Sequence, residues 1–363
     1  MKKRIPFKVR REDGVPLVRQ VLDGMRDAIV GGYYAPGDAL PPYAELAETL
    51  GVSQIVTKTA LKRLVAEGFV AARPRVGSVV RDRSEKQWRG HVVFVCPDLD
   101  VGYFQTLFAE TLRTRFNKEG YLFTRASVEH RDVAGAYDLS LLDAALARSV
   151  DLAVVLYNRP AIFRHLAKRG IPYVTVSGAM EPPAGAAGLT RFDFNTAVPE
   201  LVSACRAAGI RKVVQFRVPE PMCDAAPALR AAGISVSTIT LKSDYARGKL
   251  FSIEESGRTG MMKFAASHRL GGDTLLFFTS DYLARGMLMA MEHLGIKAPD
   301  DVRVVSFTNA GLGPAYFREL TRMEMNPAAA GGVVADAARA YLRSGKYPVG
   351  TVIGPVWKKG ETM

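Results

Sequence analysis

Residues 51–68 read GVSQIVTKTALKRLVAEG, and this stretch decides the fold of the first quarter of the chain. Ser53 is placed to cap a helix by accepting from backbone N–H groups one turn on, and Gly68 suits the left-handed residue that closes one. Between them Ile55, Ala60, Leu61 and Leu64 recur at helical spacing and predict an apolar stripe. Gln54, Thr57, Lys58, Lys62 and Arg63 fall largely outside it. A short helix with an apolar back and a polar, basic front suits the DNA major groove, which admits an α-helix. The stretch reads as a recognition helix.

The flanking residues fit that reading. Residues 1–14 are basic, end at Gly14 and predict a loose arm. Pro16 then opens a helix through residue 30, with Leu17, Val21, Met25 and Ile29 on one face. Gly31-Gly32 ends it, residues 35–38 (APGD) form a turn, and residues 42–50 form a second, short helix. After Gly68, residues 69–72 and 78–81 predict two short strands around a basic tip, residues 73–77 (RPRVG).

Charge agrees. The chain has 363 residues and a net charge of +13. Its first 90 residues hold 17 Lys and Arg against 10 Asp and Glu, so a quarter of the length carries about half of the excess. Such a segment is either a phosphate-binding module or a solvated basic face. The length suits two or three domains, and 48% hydrophobic residues can fill sizeable cores. Cys96, Cys205 and Cys223 are odd in number and widely spaced, which predicts free thiols in a reducing cytosol rather than disulfides or a zinc site. No apolar run approaches the ~20 residues of a membrane helix, so a soluble, cytoplasmic protein without membrane partners is expected.

With these residues in view, residues 15–81 resemble the winged helix of the GntR family of bacterial transcription regulators. The resemblance rests on PLVRQVLDGMRDAIVGGYYAPGDALP, ELAETLGVS, ALKRLVAEGFV and RPRVGSVV in that order. It implies that the start of the recognition helix and the wing tip contact double-stranded operator DNA. The matching and neighbouring positions are Tyr43, Ser53, Gln54, Thr57, Lys58, Lys62, Arg73, Arg75 and Gly77. The chain departs from the family where bases would be read. Pro42-Tyr43-Ala44 stands where Ser-Glu-Arg is common, Gln54 where Arg is common, and Val56-Thr57-Lys58 where Thr-Val-Arg is common. Gln suits adenine, Arg suits guanine, and Lys acts more as a point charge. An altered site is expected.

Beyond a polar segment, residues 83–90, apolar runs alternate with helical segments. Strands are predicted at 91–96, 122–126, 152–156, 173–176, 213–216, 236–241, 274–278 and 302–306, with helices at 103–119, 140–148 and 161–169 among those between. This rhythm builds parallel sheets, and its return after residue 212 suggests two lobes with a cleft. Residues 91–363 resemble the LacI-family effector domain, built like type I periplasmic binding proteins. The resemblance is carried by DFNTA at 193–197, SDYLARG at 280–286, residues 294–307 and the closing KGET at 359–362. The expected class is thus α/β, an N-terminal winged helix-turn-helix on residues 1–82 joined to a two-lobed parallel-sheet domain. By that analogy the chain crosses between lobes near residues 210, 320 and 345, and the protein is a homodimer.

Parallel sheets bind ligands beyond the carboxyl ends of their strands. Asp98, Asp100, Tyr103 and Phe104 follow the first strand, and Tyr157 and Asn158 the third. The resemblance implies that Tyr103 and Phe104 wall a ligand or else pack the helix on its sheet. It also implies that Asp193 bonds a ligand hydroxyl or amine, and that Asp281 either does so or caps its helix. Arg217, Thr308 and Asn309 complete the expected effector set. The family's Asp after the strand-end Phe is replaced by Thr308-Asn309, and its Arg-x-x-Gly-Phe is missing from residues 219–227.

No G-x-S-x-G elbow, H-E-x-x-H helix or phosphate loop occurs, and five scattered histidines show no metal-ligand spacing. Hence no catalytic residue, metal or cofactor is expected. The resemblance to arabinose-type repressors, which pair these two parts, implies a repressor of carbohydrate genes released by a sugar. A regulator answering another small molecule, or a solute-binding module without DNA contact, remains the alternative.

Overall fold

The computed structural model describes residues 4–73, 76–81, 88–97, 102–130, 137–219, 223–242, 251–311 and 313–363. At the amino end α1 (Leu17–Val30), α2 (Tyr43–Leu50) and α3 (Gln54–Ala66) precede β1 (Val70–Arg73), which pairs antiparallel with β2 (Gly77–Val80). Pro16 and Pro42 directly precede α1 and α2, where a missing N–H costs nothing. Gly51, at φ 66°, turns the chain from α2 into α3. Val21, Leu22 and Met25 of α1 close the head's core on Leu61, Leu64 and Phe69.

Three expectations for this head change. The arm is not loose: Ile5, Phe7 and Val9 alternate onto the core, and the Phe7 ring lies over Gly24, where an added Cβ would sit 2.4 Å from it. Ser53 makes no side-chain cap; its carbonyl receives the amides of Val56 and Thr57 instead. Ile55 leaves the apolar stripe and is 77% exposed. At 3.6 residues per turn it stands well away from Ala60, Leu61 and Leu64, and Thr57, fully buried, takes its place on the inner face.

The next residues build a first lobe from β3 (Gly90–Pro97), α4 (Tyr103–Lys118), β4 (Tyr121–His130), β5 (Tyr137–Asp138), α5 (Ser140–Leu146), β6 (Leu152–Leu156), α6 (Pro160–Lys168), β7 (Tyr173–Ser177) and β8 (Gly188–Phe192). A second lobe holds α7 (Val198–Ala207), β9 (Lys212–Arg217), α8 (Ala226–Ala231), β10 (Ser235–Thr240), α9 (Phe251–Ser267), β11 (Thr274–Phe278), α10 (Asp281–His293), β12 (Arg303–Asn309) and β13 (Thr321–Met325). Then α11 (Pro327–Ser344) and β14 (Val352–Ile353) return to the first lobe, and β15 (Val356–Lys358) to the second.

The first sheet runs β14-β8-β7-β6-β3-β4-β5 and the second β10-β9-β11-β12-β13-β15, parallel except for the edge strands β5 and β15. Both faces of the central strands are buried. In β3, Val92 and Phe94 face one core and Val93 and Val95 another; Leu275 and Phe277 of β11 do likewise against Leu276 and Phe278. That two-sided burial is why these strands read as continuous apolar runs.

Among the described residues the chain passes between sheets three times, but not at 210, 320 and 345. Because α7 packs on α8, the first passage precedes α7, at 193–197. The second is at Asn326, since α11 packs on α4, and the third is at 354–355, between β14 and β15. Short edge strands without apolar periodicity hid these positions. Residues 83–87 of the expected linker lie outside the described residues, and β3 already begins at Gly90.

Candidate functional site

Two surfaces carry the chemistry. The first is the outer face of α3. Ser53, Gln54, Lys58 and Lys62 are exposed there, Arg73 and Gly77 are exposed on the hairpin, and Arg75 lies outside the described residues. Tyr43 is exposed at the start of α2, with the Lys58 ammonium 6.0 Å from its ring centre, a cation–π distance. Thr57 does not belong to this face. Its hydroxyl donates to the carbonyls of Tyr43 (2.8 Å) and Gln54 (3.1 Å), pinning α3 to α2 from inside.

The head is joined to the first lobe by buried ions. Arg26, 2% exposed, donates twice to Glu67 (2.8 and 2.6 Å) and once to Asp23 (2.8 Å). Arg19 bonds Asp23 at 2.8 Å and reaches Asp151, ahead of β6, at 2.6 Å. The other Asp151 oxygen accepts the backbone N–H of His91 at 2.8 Å. Burial alone would weaken the Arg19 charge, but Asp151 and Asp23 outweigh it and hold the guanidinium's pKa above its ordinary value. Arg89 adds an outer pair to Asp27 at 2.9 Å.

The second surface is a cavity of about 360 Å³ between the lobes, within the range of small-molecule sites. Phe104, Phe194 and Phe307 form part of its wall. Rings link the lobes through it: Phe104 to Phe192 at 5.6 Å, Phe192 to Phe194 at 5.5 Å and Phe194 to Phe307 at 5.9 Å. Tyr103 of the first lobe and Tyr282 of the second stack across it, 6.1 Å apart and 8° from parallel, with the Arg285 guanidinium 5.4 Å from the centre of the Tyr103 ring. Burial raises the Tyr282 hydroxyl to about 12, so it stays protonated. Tyr157 lines the wall at φ 67°, the sole non-glycine with positive φ among the described residues. A bulky residue held there stores roughly 1–3 kcal/mol of strain, a pattern concentrated at ligand sites.

Polar side chains share the wall, among them Gln105, Asn158, Arg159, Thr279, Asp281 and Asn309. Asp281 is buried and bonded to Asn309 Nδ2 (2.9 Å) and the Tyr282 amide (3.0 Å). Burial raises its carboxyl above the ordinary value, against the pull of Asn309. Gln105 is 3% exposed and lines the cavity, yet its Oε1 has no partner among the described residues. Arg159 donates to the Tyr137 hydroxyl at 2.8 Å.

Of the expected effector residues, Tyr103, Phe104, Tyr157, Asn158, Asp281 and Asn309 converge here. Asp98 and Asp100 lie outside the described residues. Three others are not in the wall. Asp193 binds Arg191 at 3.1 Å and the Asn195 amide at 3.0 Å. Arg217 pairs with Asp224 at 3.5 Å and donates to Thr240. Thr308 points to the opposite side of β12 from Phe307 and Asn309, as strand alternation requires. Sequence reasoning missed Gln105, Arg159, Phe194 and Tyr282. Tyr282 is legible only as the neighbour of Asp281, and Gln105 gives no signal until its burial is seen. Among the described residues no group of three or more His, Cys, Asp or Glu could hold a metal ion, and no helix is long and apolar enough to cross a membrane. The three cysteines are free and buried, and burial raises Cys205 and Cys223 to about 12.

Comparison with known proteins finds matches for both parts of the chain. The profile of the bacterial regulatory proteins of the gntR family matches residues 17–80, and that of the periplasmic binding protein-like domain matches residues 163–363. An uncharacterized HTH-type transcriptional regulator of Mycobacterium tuberculosis is 46% identical over 56 residues. That match covers 15% of this chain and 23% of the relative, so the chain spans about a quarter of that protein's length. Among solved structures, a LacI family transcriptional regulator from Arthrobacter sp. FB24 in complex with lactose superposes with a TM-score of 0.60 at 17% identity, over 76% of this chain and 99% of that one. The lac repressor dimer bound to operator and the anti-inducer ONPF gives 0.58 at 16% identity, over 77% and 95%. These two likenesses concern the fold.

Proposed function

Starting from a chain that belongs to the periplasmic binding protein-like family and carries a gntR-family head, we propose that it is a DNA-binding transcription regulator controlled by a small molecule. The observation that carries this reading is a cavity walled by both lobes, with the head tied through Arg19 and Asp151 to the first of them. A ligand touching Tyr103 and Tyr282 together favours one lobe separation over another. It shifts operator affinity only as far as it binds the two separations differently. Two heads brought together in a homodimer would then change their spacing, and half-site recognition depends on that spacing.

The proposed effector is sugar-sized, and a sugar is the first candidate: aromatic walls stack on sugar faces, and a protein of similar fold holds lactose. A second reading, a planar or less hydroxylated molecule, is favoured because the expected charged contacts Asp193 and Arg217 lie outside the wall. The proposed DNA face is Tyr43, Ser53, Gln54, Lys58, Lys62, Arg73, Arg75 and Gly77, on a head of residues 1–82 ahead of the effector domain at 91–363. Its action as a repressor in the cytoplasm belongs to the same proposal.

The test is binding of the purified chain to duplexes from its own locus, repeated across a panel of sugars and aromatic metabolites. Lys58→Ala is expected to weaken binding and flatten its salt dependence. Gln105→Leu is expected to keep DNA binding while losing the ligand response. Failure of the wild type to bind any duplex at low salt would defeat the regulatory reading.

A further inference from the structure

We propose that Ile55 reads a thymine methyl group in the major groove, next to an adenine read by Gln54. This rests on the DNA-binding role above and names what that face selects.

Ile55 is 77% exposed, while Thr57, Ala60, Leu61 and Leu64 of the same helix are buried. On a helix of 3.6 residues per turn it lies about 60° from Lys58 and about 20° from Lys62, on the basic face. Like Gln54, it sits in the first turn of α3, the end through which such helices reach base edges. The turn is held firmly. Thr57 bonds the Tyr43 carbonyl behind it, and Lys58 lies over the Tyr43 ring in front.

A branched hydrocarbon in this place has nothing to offer a phosphate and no hydrogen bond for a base edge. What the major groove presents to an apolar side chain is the C5-methyl of thymine, and what it presents to a glutamine is the N6/N7 edge of adenine. Lys58, Lys62 and Arg63, all exposed around Ile55, call for a polyanion rather than a protein surface as the occupant. An A·T step read by Gln54 and Ile55 together satisfies both side chains.

The experiment uses the full chain and a random duplex library. Retained duplexes are sequenced, and each thymine of the consensus is replaced in turn by uracil, which lacks only the methyl group. Affinity is read by fluorescence anisotropy at one fixed salt concentration. One uracil position is expected to weaken wild-type binding about fourfold, the weight of one buried methyl. Ile55→Ala, whose melting temperature should match wild type because the residue is exposed, is expected to bind the thymine and uracil duplexes equally. Strong wild-type binding that ignores every uracil, or an Ile55→Ala protein still sensitive to it, would overturn the inference and leave DNA binding standing. Retention of no duplex at all would overturn both readings.

Discussion

The junction between head and first lobe and the space between the two lobes are built from opposite materials. The junction is ionic: Arg26 is nearly inaccessible, and Asp151 is shared between Arg19 and the His91 amide. The interlobe space is aromatic and hollow, with rings meeting face to face or edge to face and a strained tyrosine in the wall. Buried, mutually bonded charges tolerate little displacement, because each lost partner leaves an uncompensated ion. Stacked rings can slide at modest cost. The contrast teaches where movement belongs: a ligand can adjust the lobes, and the head must follow the lobe that holds it.

The sharpest way to break this contrast is Asp151→Ala. It leaves Arg19 with Asp23 alone and removes the acceptor of the His91 amide, and is expected to cost about 3 kcal/mol in denaturant unfolding. Asp151→Leu combined with Arg19→Met should recover part of the loss, because the apolar pair needs no ionic partner while the His91 amide still lacks its acceptor. A single variant as stable as wild type would show the junction to be soft.

On the other side, Gly286→Ala is expected to cost about 2 kcal/mol by thermal melting. An added Cβ there would lie 1.8 Å from the Glu254 carbonyl, and Gly257 meets the Leu283 carbonyl reciprocally. Helices α9 and α10 would have to part, displacing Asp281 and Tyr282 from the cavity wall. A variant with normal stability would mean that this wall yields freely.

The smallest effect is on pH. Burial holds the His91 imidazole below its ordinary value, against the pull of Asp151. The neutral ring is therefore the form the fold favours. Its contribution is complete above about pH 6.5 and is lost as pH falls through the lower folded-state value. Wild type should lose stability relative to His91→Gln as pH falls below about 6.5. Melting curves that stay parallel across that range would remove His91 from the junction's energetics.

Much of this architecture was legible in the residues, and what was not has physical causes. Strands 152–156 and 274–278 were readable to the residue because both faces are buried and the runs are uninterrupted. The helices of the head were readable from Pro16, Pro42, Gly51 and Gly68. Errors arose where angle, rather than hydrophobicity, decides. Ile55 and Thr57 exchange roles because their places around the helix axis, not their polarity, set which is buried. Thr308 and Asn309 are adjacent in the chain yet face opposite sides of one strand. Asp193 is drawn to Arg191, a pairing that depends on where β8 ends. Gln105 became visible only when its buried oxygen was found without a partner among the described residues.

The ring of Phe7 resting on Gly24 has a practical consequence for handling the molecule. Ile5, Phe7 and Val9 pack half-buried against the head's core, so trimming an expression clone to the family-matched boundary at Leu17 would strip them from the cluster they help to cover. A purification tag placed amino-terminally needs a spacer before Arg4, whose carbonyl receives the Tyr33 hydroxyl. Thr362 is likewise fixed, wholly enclosed with its hydroxyl donating to the Val304 carbonyl.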